Sequence, residues 1–322
     1  MNVALHINFL PFNMLQSSSH ILLVRPANFG FNVETAVSNT FQNNTSLTNE
    51  ELRKKVNEEF ENFASVLTSK GINVHVFNDT TEPLKPDAIF PNNWVSFHRD
   101  GTVILYPMCT PNRRLEKRKD IIDELGKSLL VKNIIDLSSL EERNKFLEGT
   151  GSIVFDHENR IAYACISPRT DKELFMEVCK NMNYEGVCFT STDSSGKEIY
   201  HTNVMMCIAK GFALICLESI KNNSEKENII SRLKLTSHEI IDLSFEQITD
   251  FSGNMLSVHN NNGTTFLVCS QRAYTALKPG QIKIMEKYCE FLPVPIPTIE
   301  TIGGGSARCM MAEVFLPALV QA

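Results

Sequence analysis

A unit of two short apolar runs joined by a turn recurs four times and restricts the fold more than any other feature. Each unit is typical of a β-hairpin, and a charged segment with helical spacing follows it. Equivalent positions of the four units lie 59, 51 and 51 residues apart, at Asn93, Ser152, Asn203 and Asn254. A period near 50 with one supersecondary unit per repeat indicates a propeller-like or solenoid array. The predicted turns are Asp100-Gly101, Glu158-Asn159, Lys210-Gly211 and Asn262-Gly263, and the predicted helices span about 112–128, 170–182, 223–233 and 272–289.

A fifth unit is divided between the two ends of the chain. Residues 21–26 begin it, a helix at about 49–70 and the strand INVHVF continue it, and residues 303–315 return to close a ring. Such closure removes the exposed sheet edges that promote aggregation. The sequence therefore predicts an α/β fold, a five-bladed pseudo-symmetric α/β propeller. An open α/β sheet with several hairpins is the alternative.

Composition excludes several classes of protein. The chain has 322 residues, 43% of them hydrophobic, and its net charge of −6 argues against a nucleic-acid binder. Nothing reaches 18 consecutive apolar residues, so no membrane span is expected. Nine cysteines without a C-x-x-C pair fit a reducing cytosol rather than a disulfide framework or a zinc site. We expect a cytoplasmic protein. The sequence leaves open whether the protein forms a homo-oligomer.

The first 20 residues contain no Lys or Arg and so lack the basic start of a secretory signal. Residues 1–20 are predicted to be a flexible leader, and residues 21–322 to form a single domain. Length alone is compatible with about two domains, but the repeat pattern favours one closed structure.

Five polar residues lie at or just before the start of a predicted hairpin: Asn93, Glu148, His201, Asn203 and Cys309. In a pseudo-symmetric ring, equivalent starts point to the same end of the central axis. We therefore expect these residues to share one pocket, although some are more than 200 positions apart.

Three of these residues have side chains suited to catalysis. Cys309 follows a loop of three glycines and is a candidate nucleophile, the alternative being a buried structural thiol. His201 is a candidate proton carrier, the alternative being an ordinary surface or core histidine. Glu148 is a candidate catalytic carboxylate, the alternative being a cap on a backbone amide. The charged segment 113–120 is predicted to be a solvated helix face.

Five segments together resemble the guanidine-modifying enzyme superfamily, whose fold is the five-bladed propeller called a pentein. They are PDAIFPNNW (86–94), FLEGTGS (146–152), CISPRT (165–170), YHTN (200–203) and GGGSARCM (303–310). The citrulline-utilisation hydrolases are the most similar branch, related to arginine deiminases, dimethylarginine hydrolases and amidinotransferases.

The resemblance implies a role for each matching residue. Cys309 corresponds to the nucleophile, His201 to the general acid/base, and Glu148 to the carboxylate that contacts the substrate nitrogen. Asp87 corresponds to the residue that holds the α-amino group, and Arg169 to the arginine that binds the α-carboxylate. Arg113 lies roughly where a second carboxylate-binding arginine is found, with Arg114 as its competitor. No metal or organic cofactor is needed for such a reaction.

Asparagine replaces aspartate at two positions of the family pattern, Asn93 and Asn203. Two carboxylates suit a guanidinium cation, whereas two neutral amides suit a ureido group. We therefore expect citrulline as the small-molecule substrate, together with Asn93 and Asn203 as its ureido-binding residues. An arginine deiminase, a succinylarginine-type dihydrolase and an amidinotransferase are the alternatives among enzymes. The pentein ring also serves as a non-catalytic binding module, which is the alternative from another class.

Overall fold

The computed structural model describes residues 15–319. Most strands in this part of the chain are three to six residues long, and glycine or a left-handed residue occupies each hairpin turn. The strands are β1 His20–Arg25, β2 Asn73–Asn78, β3 Val95–Phe97, β4 Thr102–Leu105, β5 Asn133–Asp136, β6 Val154–Asp156, β7 Ile161–Cys165, β8 Glu185–Phe189, β9 Met206–Ala209, β10 Phe212–Ile215, β11 Glu239–Asp242, β12 Leu256–His259, β13 Thr265–Ser270, β14 Glu290–Val294 and β15 Ala312–Glu313.

These strands form five three-stranded sheets of one pattern. An antiparallel hairpin supplies two strands, and a third strand returns after a helix to pair in parallel with the second. Sheets two to five are β3-β4-β5, β6-β7-β8, β9-β10-β11 and β12-β13-β14. In sheet one, β1 pairs antiparallel with β15 from the other end of the chain and parallel with β2. The predicted repeat, its turns and the joining of the two chain ends are confirmed.

Helices connect the second and third strand of each sheet or precede the hairpins. The longest, α2, begins with a capping box in which Thr48 and Glu51 satisfy each other's backbone amides. The helices are α1 Val33–Ala36, α2 Asn49–Ser69, α3 Pro111–Arg114, α4 Lys119–Leu125, α5 Gly149–Ser152, α6 Lys172–Asn181, α7 Thr202–Met205, α8 Asn223–Leu235, α9 Phe245–Thr249, α10 Gln271–Ala276, α11 Pro279–Met285 and α12 Pro297–Gly303. None of the helices within residues 15–319 combines the length and the apolar character needed to cross a bilayer.

Alternating residues of the middle strands pack against different neighbouring sheets. In β1, Leu22 and Val24 join a core with sheet two, whereas Ile21 and Leu23 join a core with sheet five. The same alternation links sheet two to three, three to four, and four to five. The five sheets therefore contact one another in cyclic order, with the hydrophobic core between successive sheets.

The predicted flexible leader lies only partly within the described residues. Residues 1–14 are outside them. Residues 15–19 pack on the fold, because Gln16 is buried and donates a hydrogen bond to the Phe155 carbonyl at 2.8 Å. Ser18 likewise donates to the Val314 carbonyl at 2.7 Å. These contacts tie the segment before β1 to sheets three and one.

Candidate active site

The hairpin starts bring the predicted site residues to the same end of their sheets. Glu148 directly precedes α5, His201 directly precedes α7, and Asn203 lies within α7. Asn93 ends the short 3-10 helix Pro91–Asn93 before β3, and Cys309 lies in the turn before β15. All five are at least nine-tenths buried, so this end of the ring holds a group of polar side chains shielded from solvent.

His201 and Glu148 form a hydrogen-bonded pair. The Nε2 atom of His201 lies 2.8 Å from Oε2 of Glu148, whose other oxygen accepts a hydrogen bond from the Cys109 amide at 2.9 Å. Burial alone would raise the pKa of Glu148, but the Arg169 guanidinium and the bond from His201 hold that pKa below its ordinary value. Because an ionised carboxylate only accepts, Nε2 carries the ring proton and Nδ1 keeps its lone pair.

The protonation states of His201 and Cys309 complement each other. Burial lowers the pKa of His201 to about 4, and the hydrogen bond to Glu148 opposes this only in part. Burial also raises the pKa of the Cys309 thiol. At neutral pH Cys309 is therefore a thiol and His201 a neutral imidazole.

Two asparagine amides surround the Cys309 sulfur. Nδ2 of Asn254 lies 3.2 Å from Sγ and Nδ2 of Asn203 lies 3.7 Å from it. The Cys309 backbone amide donates to the Ser306 carbonyl at 2.9 Å, which fixes the turn that carries the sulfur. These amide N–H groups are suited to stabilising negative charge on the thiolate.

Gly151 allows Asn93 and His201 to approach each other. A Cβ atom at Gly151 would lie 2.2 Å from Nδ2 of Asn93 and 2.9 Å from Nδ1 of His201. No side chain fits there without moving both groups, so the glycine of α5 keeps open the space between the amide and the imidazole.

Arg113 fixes the orientation of the Asn93 amide. Its Nη1 donates to Oδ1 of Asn93 at 2.9 Å, while Nε and Nη2 form a two-pronged pair with Glu116, both at 2.9 Å. Since Oδ1 faces a donor, the NH2 group of Asn93 faces the other way. No described residue accepts a hydrogen bond from that NH2 group, although it is buried.

Segment 113–120 was expected to be solvated, and this expectation is wrong for two of its residues. Arg113 and Glu116 are each only 3% exposed, because they pair with each other beneath the site. A charged run cannot reveal this by itself, since its buried members have the same composition as its exposed ones. Arg114, the competitor of Arg113, is less buried and donates to the Met108 and Cys109 carbonyls.

Asp87 is buried with one carboxylate oxygen unpartnered. Its Oδ2 accepts from Asn32 at 2.8 Å and from Thr35 at 3.2 Å, and Arg113 Nε lies 3.8 Å away. Oδ1 has no hydrogen-bond partner within residues 15–319. Burial raises the pKa of Asp87. A buried carboxylate oxygen without a partner is suited to accepting a hydrogen bond from a cationic group.

Arg169 contacts Glu148 and also the segment formed by α1 and the residues that follow it. Nη1 lies 3.5 Å from Oε2 of Glu148, Nε donates to Ser38 at 3.0 Å, and Nη2 donates to the Thr35 carbonyl at 3.0 Å. The guanidinium also lies over the Tyr200 ring, 4.7 Å from its centroid. Arg169 is thus held in place by four neighbours.

Residues 32–43, called the strap below, form hydrogen bonds with several residues of the site. Besides its contacts with Asp87 and Arg169, the strap reaches the loop before Cys309, where Asn39 and Gln42 donate to the Gly304 and Gly303 carbonyls at 3.2 and 3.1 Å. The sequence reasoning missed the strap, together with Asn32, Glu116 and Asn254. Of these, only Asn254 could have been identified from the sequence, because it occupies the same repeat position as Asn93 and Asn203.

No group of three or more His, Cys, Asp or Glu side chains is arranged to hold a metal ion within the described part of the chain. The side chains that the site brings together include a thiol, an imidazole, a carboxylate and several amides. Such a set can perform nucleophilic attack with proton transfer on an electrophilic carbon.

Comparison with solved structures finds the same fold in two enzymes, one of them represented by two structures. ArgZ, an arginine dihydrolase from the ornithine–ammonia cycle in cyanobacteria, superposes with a TM-score of 0.73 at 16% identity, covering 93% of this chain and 41% of ArgZ. The product-bound N-terminal domain of ArgZ gives 0.71 at 17% identity, over 94% and 99%. DDAH from Pseudomonas aeruginosa with citrulline gives 0.61 at 14% identity, over 92% and 99%. The chain thus spans about two fifths of full-length ArgZ.

Comparison at the level of sequence gives the family. No curated protein matches the sequence. A family model described as "N,N dimethylarginine dimethylhydrolase, eukaryotic" matches residues 25–316, which contain every site residue described above. The chain belongs to this dimethylarginine dimethylhydrolase family, within the pentein superfamily of guanidino-modifying enzymes.

Proposed function

We propose that this protein hydrolyses the ureido group of citrulline, giving ornithine, ammonia and carbon dioxide through a covalent intermediate on Cys309. The observation that carries the proposal is the orientation of Asn93. Arg113 takes the amide oxygen, so the amide presents two N–H donors beside His201. A guanidinium has only donors to offer, whereas a ureido group offers a carbonyl oxygen that accepts from these donors.

The amino-acid end of the substrate is proposed to lie between Asp87 and Arg169. Oδ1 of Asp87, buried and unpartnered among the described residues, is suited to the α-ammonium group. Nη1 of Arg169, with Glu148 at 3.5 Å as its neighbour, is the guanidinium nitrogen left for the α-carboxylate. Glu116 and Asn93 occupy most of the donors of Arg113. Arg113 therefore orients the Asn93 amide and does not pair directly with the substrate carboxylate.

The reaction begins when Cys309 transfers its proton to Nδ1 of His201 and the thiolate attacks the ureido carbon. The Asn93 amide stabilises the oxygen of the tetrahedral intermediate. Protonated His201 then gives its proton to the departing nitrogen, and Glu148 stabilises the imidazolium between these steps. A thiocarbamoyl enzyme remains. Water, deprotonated by His201, attacks the same carbon, and the carbon–sulfur bond breaks to restore the thiol and release a carbamic acid. The carbamic acid loses carbon dioxide to give the second amine, so one water is consumed for each citrulline.

The proposed location of this chemistry is one end of a five-bladed propeller. Cyclic packing of five equivalent sheets supports a propeller with its axis between the hairpins. The hairpin starts of every blade then converge on the axis, which accounts for a site built from residues 87 to 309.

Arginine dihydrolysis is the second candidate. The Oδ1 atom of Asn203 is buried without a partner among the described residues, and it can accept an N–H from a guanidinium. An enzyme with this site would convert arginine to a ureido intermediate and then hydrolyse that intermediate in the same way.

A substrate panel tests the proposal. The purified protein is incubated with citrulline, arginine, N,N-dimethylarginine or succinylarginine, and ammonia, ornithine and ureido products are measured. We expect ornithine and ammonia from citrulline at the highest kcat/KM. Turnover of arginine to citrulline without ornithine would instead identify a deiminase, and no turnover of any substrate would identify a binding module.

A further inference from the structure

Two histidines and two arginines line a cavity at the other end of strands β3 and β6 from Asn93 and Glu148. The cavity has a volume of about 250 Å³, and its walls include the hairpin-turn residues His98, Arg99, His157 and Arg160 together with Tyr184 and Phe315. None of these residues takes part in the site described above. The cavity is therefore a separate feature of the hairpin-turn end.

The two histidines are each held through one ring nitrogen. Nε2 of His98 lies 2.7 Å from the Ser96 hydroxyl, and Nδ1 of His157 lies 2.7 Å from the Tyr184 hydroxyl. The other nitrogen of each ring has no hydrogen bond to any described residue, and both side chains are more than nine-tenths buried. When the hydroxyl donates, the free nitrogen of each neutral ring carries a proton.

Arg99 adds a third unused donor and a charge. Its Nε is buried and has no partner within residues 15–319. The guanidinium lies over the Phe315 ring, 4.8 Å from its centroid, and that of Arg160 lies over the Tyr184 ring at 5.6 Å. One carboxylate, Asp100, also lines the cavity, but its Oδ1 accepts from the Thr102 amide of its own turn.

Two arginines and two histidines line one cavity, and Nε of Arg99 is a buried donor without a partner within residues 15–319. Buried donors without partners are rare because leaving them unpaired is costly. An oxyanion satisfies them together, since it brings two or more acceptor oxygens and a negative charge to the arginine pair.

We propose that this cavity is a second ligand site, which binds a small oxyanion carrying a carboxylate or a phosphate group. Arg99 and Arg160 supply the charge, and His98 and His157 supply directional hydrogen bonds. The proposal does not depend on which substrate Cys309 attacks.

Isothermal titration calorimetry of the full chain with inorganic phosphate, and separately with succinate, tests the site and distinguishes the two sources of the oxyanion. We expect one site per chain for at least one of the two probes. Arg99→Gln and Arg160→Gln should each weaken binding by about tenfold or more, because each removes a charge-assisted hydrogen bond. Arg160 is exposed, so its variant remains informative even where Arg99→Gln fails to fold.

Arg143→Gln is the matched control, because it removes the same charge from an exposed arginine outside the cavity. It should bind the probe as the unmodified protein does. If Arg143→Gln weakened binding of the probe as much as the cavity variants do, the probe would be responding to net charge alone, and the proposal would be overturned. So would unchanged affinity in both cavity variants, or no binding of either probe.

Discussion

The Asn93 amide illustrates how a neighbour decides what a side chain offers to a ligand. Both ends of an amide are polar, and sequence alone cannot assign which end faces the substrate. Arg113 makes the assignment by holding the oxygen at 2.9 Å, and Glu116 in turn holds Arg113. The resemblance of residues 86–94 to the family pattern identified Asn93 as a candidate, but Glu116 came only from the structure, since its role depends on a tertiary contact.

Replacing both Asn93 and Asn203 by aspartate should lower kcat/KM for citrulline by about tenfold to a hundredfold, because each loses N–H donors that a carboxylate cannot supply. The ratio of kcat/KM for arginine to that for citrulline should rise in the same variant. Steady-state kinetics on both substrates measure this. Unchanged citrulline kinetics would remove the charge-based argument for the substrate.

At the scale of elements, the short helices α5 and α7 position the site because each begins directly after a residue proposed to act in the reaction, Glu148 or His201. The repeat pattern predicted these hairpin starts, since turn residues and apolar alternation are local signals. The strap could not be predicted, because it has no periodic pattern and its contacts with Asp87, Arg169 and Gly304 join residues 52 to 265 positions apart.

Gly151→Ala tests the packing of α5 against the site. The new methyl group would lie 2.2 Å from the Asn93 amide nitrogen, so Asn93 or His201 must shift. We expect kcat to fall by about 100-fold, because displacing reacting groups by about 1 Å has an effect of this size. Gly280→Ala is the control, since nothing lies within 4 Å of the added atom in α11. Similar activity of the two variants would contradict the described geometry.

At the scale of the whole molecule, burial of neutral histidines connects folding to pH. Burial lowers the pKa of His98 to about 4, whereas the unfolded side chain titrates near 6.5. Between these values the unfolded state binds more protons, so stability is full above pH 6.5 and is lost as the pH falls towards 4.

Urea unfolding of the protein and of His98→Gln across this range measures the effect. The variant lacks the titrating group, so its free energy of unfolding should fall less between pH 7 and pH 4, by up to about 3 kcal/mol. The glutamine retains a partner for Ser96 and limits other changes. If the free energy of unfolding fell equally with pH in both proteins, His98 would not be held neutral by the fold.

The central claim, that Cys309 attacks a ureido carbon, is tested most directly by trapping the intermediate. Citrulline labelled with carbon-13 at the ureido position is mixed with the protein, quenched in acid and digested, and the peptides are analysed by mass spectrometry. The label should appear on the peptide that contains Cys309. The label should be absent from this peptide in Cys309→Ser, and that variant should also lose turnover by roughly 10⁴-fold or more. The control is Cys188→Ser, which changes a half-buried thiol of sheet three and should still carry the label on Cys309. Release of labelled carbon dioxide at the native rate by Cys309→Ser would contradict the account.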